Sequence, residues 1–551
     1  MNKNLKRFLS VAAFLCTSIA SLASSSCTTC PTGCTNSQNL LQLHAMSVSG
    51  SRQLELIKNA WSPMPDEEGW FGMFGVGVEY MHTLGSKKCG VKNCCTSIGS
   101  MPFWSGTNKT SSTEGKATFS NTMTLGNNTG GFDLDAYQMG LGPVSTVGTV
   151  TLNPVIFQAG ADFMLYFGAH RTERSFWFKA HGPVGVTRVK PNITFSGDVA
   201  KVSYPEGSLA QSATTAAPYE NIVQSFQGDK SAGFLGQMLR GRITNCQTSS
   251  AHFGDPEFSL GYNVVADETK NLGIALCISA PTGNTARAIE VLEPIFGRNG
   301  HCGVGGELLG HWRFWHSDDN DDKYADLWLE GTAMHLFRSC HQRSFDLKEN
   351  GPGSKYLLIA KYTGGTFQNL IENAINVTTM TVESTFAVEG NFALAADFHW
   401  KNWSVMIGYE GWGRTCENLY IDTAPGATNL NDYAVLGRQT AYTTGGASNF
   451  LCEPKAQIGN SQPYATVATS TIVDARVATN RIPDDIYTAL DVNNQCAHAA
   501  YTSKPFIQAQ YTWTDSDYRP FLGLSGAAEF SNLKNSAATF WSIGAQGGIS
   551  F

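Results

Sequence analysis

The chain has 551 residues, of which only 15% are charged, and its formal net charge is -7. This slightly acidic balance gives no electrostatic reason to expect nucleic acid as a partner. Beyond the first two dozen residues there is no run of about 18 apolar residues, so no transmembrane helix is predicted.

The amino-terminal residues 1–23 have the three regions of a secretory signal peptide. Lys3 and Lys6 form a positive start, an apolar run covers residues 8–19, and Ala23 ends a small-residue cleavage site. A transmembrane anchor is the alternative, but the run is short and is interrupted by Ser and Thr. We therefore expect the chain to be exported.

Cysteine usage fits an oxidising compartment. The chain has 14 cysteines, and 13 remain once Cys16 leaves with the signal peptide. Exported cysteines tend to pair, and an odd number leaves one thiol over. The tight clusters supply the disulfide candidates Cys27, Cys30, Cys34, Cys89, Cys94 and Cys95. Their spacing resembles half of a zinc site, but no second half lies at the usual interval, so disulfides are favoured and no metal or cofactor is expected.

A Cys- and Ser-rich segment, residues 24–66, precedes the first predicted strand. It contains a weak helical patch over residues 40–60 and forms either a periplasmic tail or a plug inside a lumen. From Phe74 onward, apolar side chains recur at every second position, which is the period of a β-strand with two different faces. Such alternation recurs at about 74–81, 157–167, 176–181, 257–264, 272–279, 304–314, 325–333, 380–400, 403–410, 507–513, 522–530 and 540–551.

The connections between these segments are alternately short and long. Short turns lie near 170–175, 266–271, 317–323, 401–402 and 516–519; long connections lie near 84–154, 190–255, 282–301, 339–376 and 414–504. Short periplasmic turns that alternate with long external loops are typical of outer-membrane β-barrels. About twelve strands are predicted, with a range of roughly 12 to 16 because further hairpins could lie around 117–125, 193–204 and 356–362. Short loop helices are predicted over 286–292 and 367–375.

The last strand carries a family resemblance. Trp541, Ile543, Ile549 and Phe551 share one face, and the strand ends at the aromatic carboxyl terminus. This pattern resembles the closing strand of bacterial outer-membrane β-barrels. The resemblance implies an all-β fold, a transmembrane antiparallel barrel in the cell outer membrane, the lipid bilayer as a partner, and recognition of Phe551 by the barrel-assembly machinery.

The cysteine-rich composition is similar in style to that of the major porins of chlamydia-type bacteria. That resemblance implies disulfide-linked or homo-oligomeric partners. Aromatic residues cluster near strand ends and predict two interfacial girdles, with core aromatics of a β-sandwich as the alternative. The girdle candidates are Trp70, Phe71, Phe167, Trp400, Trp403, Trp412, Trp513, Phe540 and Trp541.

The polar side chains, which occupy alternate positions of the strands, are predicted to line the lumen. The predicted pore-lining residues are Glu79, Asp162, Lys179, His181, Glu257, Glu307, His311, Arg313, Asp326, Glu330, Glu389, Asp397, His399, Glu410 and Glu529. Carboxylates dominate this set, which favours cations in a water-filled lumen. The alternative is that these charges pair across a narrow, filled barrel that conducts little.

The function hypothesis is a porin-like channel, formed by residues 67–551, for passive diffusion of small hydrophilic solutes and with no enzymatic chemistry. A first alternative is a transporter for hydrophobic compounds, because Ala280-Pro281-Thr282-Gly283 is similar to the Pro-Thr-Gly strand ends of outer-membrane transporters for fatty acids and aromatic hydrocarbons. That alternative requires an amino-terminal plug and an apolar lumen pocket. A second alternative is a structural or adhesive barrel that is cross-linked by its cysteines.

Overall fold

The computed structural model of the chain describes residues 44–61, 69–84, 122–126, 133–141, 147–152, 154–171, 174–198, 219–231, 235–244, 247–248, 252–267, 269–317, 320–351, 353–363, 366–422, 429–436, 458, 481–497, 499–514, 517–531 and 539–551. The predicted signal peptide and the six disulfide candidates lie outside these residues.

Within the described residues, twelve long strands form a closed antiparallel barrel. They are β1 (Gly69–Thr83), β2 (Val155–Arg171), β3 (Arg174–Lys190), β4 (Glu257–Asp267), β5 (Lys270–Ser279), β6 (Gly303–Ser317), β7 (Asn320–Ser344), β8 (Thr379–Trp400), β9 (Trp403–Arg414), β10 (Ala500–Thr512), β11 (Arg519–Ser531) and β12 (Phe540–Ser550). Each strand pairs with its sequence neighbour, and β12 pairs with β1 to close the sheet. The predicted architecture is confirmed, with the strand number at the lower end of the predicted range.

The connections also follow the prediction. The turns β2–β3, β4–β5, β6–β7, β8–β9 and β10–β11 are short and meet at one end, while the long connections leave from the other end. In β12, Ile543 and Ile549 are exposed on the outer surface, whereas Ser542 and Gln546 are buried inside. A closed barrel of even strand number with an apolar exterior is the architecture of bacterial outer-membrane proteins, and this chain is an outer-membrane barrel.

One long parity run was predicted incorrectly. In β8 the odd positions from Glu389 to Asp397 are buried inside, but Val382, Ser384 and Phe386 are buried on the even parity. The pairing of β7 with β8 shifts register between Met334 and Ser339, and these irregularities exchange the two faces of the strand.

The aromatic girdles are only partly as predicted. Trp70, Phe167, Trp400, Trp403 and Trp513 are exposed near the short-turn end. By contrast, three of the girdle candidates are buried inward: Phe71, Trp412 and Phe540. These three positions fall on the inward parity of their strands, so proximity to a strand end was an insufficient criterion.

The long connections pack into a cap beyond the barrel rim. One sheet of the cap contains Thr122–Gly126, Leu134–Asp135, Val147–Leu152 and Ile193–Asp198, and a second contains Leu358–Thr363, Thr366–Asn373 and Tyr433–Val435. Gln247–Thr248 and His252–Phe253 pair with β3, and Glu417–Ile421 pairs with β8. The short helices are Ile222–Gln227, Ile375–Thr378 and Ile486–Ala489, with 3-10 turns at Lys348–Asn350, Ser354–Tyr356, Leu430–Asp432 and Asn493–Gln495. Leu125, Ile222 and Leu357 belong to one apolar core in this cap.

Both predicted loop helices are wrong. Residues 286–292 form turns, in which Glu293 Oε2 accepts hydrogen bonds from the backbone N–H groups of Arg287 and Ala288 at 2.6 and 2.8 Å. Residues 366–373 form a strand because the neighbouring strand Leu358–Thr363 satisfies its backbone groups. The described residues of the suggested hairpins near 117–125, 193–204 and 356–362 supply strands of the cap and add none to the barrel.

The longest helix among the described residues, α1 (Gly50–Trp61), lies inside the barrel and is preceded by a 3-10 turn at Met46–Val48. No helix in the described part of the chain combines the length and the apolar character needed to cross a membrane.

Candidate functional site: a plugged barrel lumen

Residues 44–61, which we call the plug, fill the barrel lumen. Every residue of α1 is buried, including its charged side chains. The helix contacts strands on several sides of the barrel, among them β1, β2, β7, β8 and β9. The structure thus places the described part of the amino-terminal segment inside the barrel.

A lumen carboxylate receives the amino-terminal end of α1. Glu410 on β9 accepts hydrogen bonds from the backbone N–H groups of Gly50 at 2.8 Å and Ser51 at 3.2 Å. The first N–H groups of a helix lack partners within the helix and carry partial positive charge, so a carboxylate is stabilising there. A Cβ at Gly50 would lie 2.6 Å from Glu330 Oε2, so a larger residue here would require that carboxylate to move.

Cations of the plug pair with the predicted lumen carboxylates. Arg52 donates from Nη1 to Glu79 at 2.8 Å and from Nε to Asp162 at 3.2 Å. Lys58 Nζ lies 3.0 Å from Asp397 Oδ2. These ion pairs connect the plug to opposite sides of the barrel wall.

Two further lumen cations bind both the wall and the plug. Lys179 on β3 donates to Glu307 at 2.5 Å and to the plug residue Gln53 at 2.7 Å. Lys504 on β10 lies 3.4 Å from Glu410 and 3.6 Å from Glu79. Lys179 and Lys504 therefore offset part of the carboxylate charge on the strands.

Near the external end, a loop arginine enters the barrel. Arg298 belongs to the β5–β6 connection and donates to Glu257 at 2.5 Å and to Glu389 at 2.6 Å. His181 lies between Asp162 and Glu257, at 3.4 and 3.3 Å. This layer joins the loop to the lumen wall above the plug.

Toward the short-turn end, a second cluster surrounds Asp326. Its carboxylate lies 3.1 Å from both His311 and Arg313. His399 lies 3.0 Å from Asp397. Higher in the barrel, Glu529 lies 3.0 Å from the plug residue His44. The carboxylate of Glu330 has no hydrogen-bond partner among the described residues.

All fifteen predicted pore-lining residues thus lie on inward positions of the barrel strands. Whether they line a conducting path stays a prediction. Much of the positive charge in the lumen comes from residues that were not predicted to lie there, namely His44, Arg52, Lys58, Arg298 and Lys504. The weak helical patch over residues 40–60 was the sequence signal that could have indicated the plug cations. No sequence signal indicated that the loop residue Arg298 enters the lumen.

The lumen also has an apolar compartment, which we call the lower lumen. Its inward side chains come from many strands, namely Phe71, Met73, Met164, Tyr166, Trp177, Leu309, Trp328, Met406, Phe506 and Phe521. The plug fills it with Leu54, Leu56, Ile57, Ala60 and Trp61. Trp61 contacts Phe71 and Tyr166, with ring centroids 5.4 and 6.0 Å apart.

A small cavity lies beside the plug. Its volume is about 20 Å³, and it lies next to Arg52, Glu55 and Lys504. That volume suits about one water molecule, so this cavity does not admit a larger solute.

Comparison with known proteins gives structural similarities only. No protein-family model and no curated protein matches the chain. An outer-membrane channel from Pseudomonas putida F1 aligns over 89% of this chain and 99% of its own, with 11% identity and a TM-score of 0.34. A FadL homologue from Pseudomonas aeruginosa aligns over 93% of this chain and 98% of its own, with 7% identity and a TM-score of 0.27. A deletion mutant of TodX, a monoaromatic hydrocarbon channel, aligns over 92% of this chain and 97% of its own, with 10% identity and a TM-score of 0.30.

Proposed function

We propose that this protein is an outer-membrane channel for small hydrophobic compounds, in which the plug must move to open the path. The observation that carries this proposal is the lower lumen, where apolar side chains from the barrel wall enclose the apolar face of α1. When the plug moves, this wall offers an apolar surface on which a hydrophobic solute loses contact with water.

The position of the plug favours this function over a passive porin for hydrophilic solutes. A general porin has no need of an amino-terminal segment in its lumen, whereas a transporter for hydrophobic compounds requires a plug and an apolar pocket. Cation preference also loses its support, because Arg52, Lys58 and Lys179 pair with the carboxylates on which it depended.

The test is uptake by cells that lack their own channels for hydrophobic compounds. Cells that express this protein should take up a radiolabelled medium-chain fatty acid faster than cells without it, and a radiolabelled disaccharide no faster. The double variant Leu309→Asn, Met406→Asn makes the lower lumen polar. We expect fatty-acid uptake to fall at least tenfold, because the loss of even one apolar contact of this size costs about 1.5 kcal/mol, which is about a factor of ten.

Gln508→Asn is the matched control, because it shortens an inward polar side chain and leaves the lower lumen apolar. Heat-modifiable migration on gels shows that each variant is a folded barrel. Faster uptake of the disaccharide without uptake of the fatty acid would instead support the hydrophilic porin.

A further inference from the structure

Four neutral polar side chains lie on the inner wall of the barrel toward its short-turn end. Ser175 is the second residue of β3 and Asn271 the second residue of β5. Asn263 on β4 is the register partner of Ser175. In the neighbouring row, Asn271 is followed by His311 on β6 and then by Trp328 on β7. We call Ser175, Asn263, Asn271 and Trp328 the polar arc; each is at most 3% exposed.

The polar arc has hydrogen-bonding atoms without partners. The atoms that make no hydrogen bond with the described residues are Ser175 Oγ, Asn263 Nδ2, Asn271 Oδ1 and Nδ2, and Trp328 Nε1. Asn263 Oδ1 is occupied, because it accepts from Trp177 Nε1 at 3.1 Å. Buried polar groups are normally paired, since an unpaired one has lost its water without compensation. We therefore expect these atoms to meet a partner that enters the lumen.

The polar arc borders the apolar lower lumen. The ring of Trp328 packs within the lower lumen, while its N–H group is unpaired. Trp177 also belongs to the lower lumen, and its N–H group holds the amide of Asn263. Gly273, the register partner of Asn263, leaves room for this amide, because a Cβ there would clash with Asn263 Oδ1. Free donors and acceptors thus lie at the edge of an apolar surface.

The chemistry of the polar arc suits a head group without charge. Serine, asparagine and tryptophan side chains carry no charge, so the arc offers an ionic head no opposite charge to replace its hydration. His311, which lies between Asn271 and Trp328 in the row, is 3.1 Å from Asp326, and Asp326 also pairs with Arg313. The arc supplies N–H donors as well as oxygen acceptors, which a hydroxyl group can satisfy together.

We propose that the polar arc binds the uncharged, oxygen-bearing head of an amphipathic solute, such as a long-chain alcohol, whose apolar chain lies in the lower lumen. The site depends on the proposed function, because the chain can enter the lower lumen only after α1 has moved. A few placed polar groups in an apolar pocket fix the orientation of a ligand and give specificity. A pure hydrocarbon leaves the arc unpaired and is therefore the poorer solute.

The test compares the uptake of 1-decanol with that of undecane, in which a methyl group replaces the hydroxyl group. Both compounds are radiolabelled and are supplied below saturation to cells that lack their own channels for hydrophobic compounds. The uptake by cells without this protein is subtracted. We expect the wild type to take up decanol about tenfold faster than undecane, because only decanol supplies hydrogen bonds to the polar arc.

The double variant Asn263→Leu, Asn271→Leu nearly preserves side-chain size and removes both amides of the polar arc. It should lose the preference for decanol without a fall in undecane uptake, a result that misfolding does not produce. Gln508→Leu is the matched control, because it removes a buried inward amide on β10, outside the polar arc, and should keep the preference. Heat-modifiable migration reports the folded barrel for each variant.

Equal uptake of decanol and undecane by the wild type would mean that the polar arc holds only water, and would overturn this proposal while the proposed function stands. A double variant that keeps the tenfold preference would overturn it as well. If the wild type takes up neither compound and no fatty acid, the proposed function fails and the assignment of the polar arc fails with it.

Discussion

At the scale of single residues, the lumen depends on buried charges that are paired. Lys179 and Glu307 are both fully buried, with Nζ and Oε1 2.5 Å apart, and Ser259 also donates to Glu307 at 2.5 Å. The desolvation of such a pair is costly, but removal of one partner costs more, because it leaves an uncompensated charge in the interior.

We expect Lys179→Met to lower the free energy of unfolding by about 3–5 kcal/mol. Urea unfolding in lipid vesicles measures this loss. The double variant Lys179→Met, Glu307→Gln should recover most of the stability, because it removes both charges. Arg338→Ala is the comparison variant, since its pair with Glu383 is solvent-accessible and should contribute less than about 1 kcal/mol. An equal effect of Lys179→Met and Arg338→Ala would contradict this account.

At the scale of elements, α1 owes its order to the lumen. An isolated helix of 12 residues is marginal in water, so the ion pairs and the apolar lower lumen must stabilise this one. The helical patch was predictable over residues 40–60, and the helix forms at Gly50–Trp61. Its position inside the barrel was not predictable, because local sequence encodes the helix but not the distant strands that surround it.

Deletion of residues 44–61 should open the barrel. In planar bilayers we expect little conductance from the wild type and stable open channels from the deletion variant, because the plug fills both the charged and the apolar parts of the lumen. Arg52→Gln is the graded control: it removes the pairs with Glu79 and Asp162 but keeps the helix, and should give only brief openings. Identical conductance of wild type and deletion variant would rule out the plug as the barrier.

At the scale of the whole molecule, an exposed leucine on the barrel and an exposed leucine on the cap are surrounded by different solvents. Leu276 on β5 is 62% exposed between Ile274 and Ile278, and Leu239 in the cap is 60% exposed. The barrel residue contacts lipid, whereas the cap residue contacts water.

We therefore expect Leu276→Arg to destabilise the protein by about 2–4 kcal/mol in phosphatidylcholine vesicles. Leu239→Arg, at nearly equal exposure, should change stability by no more than about 0.5 kcal/mol, because surface substitutions in water are usually near neutral. Urea unfolding of the two variants makes the comparison. Equal losses would mean that β5 does not face lipid.

The amino-acid sequence by itself determined the barrel. Apolar and polar side chains alternate with a period of two, and this alternation can be recognised in each strand without knowledge of the others. Alternation around Phe163, Leu260 and Ile543 separates the lipid face from the lumen face, and the lengths of the connections order the hairpins. For the same reason, the inward positions of residues such as Glu79, Glu307 and Asp397 could be identified before the fold.

Only the tertiary structure decided what the lumen contains. Carboxylates outnumber cations on the predicted inward parity, which indicated a cation-preferring pore. The balancing charges come from residues far away in sequence: Arg52 and Lys58 in the plug, and Arg298 in an external loop. The apolar lower lumen was equally hidden, since Phe71, Trp177 and Met406 interrupt the polar parity of separate strands and meet only when the sheet closes. Charge pairing and apolar packing across a lumen depend on closure of the whole barrel. The alternation of side chains within one strand therefore does not predict them.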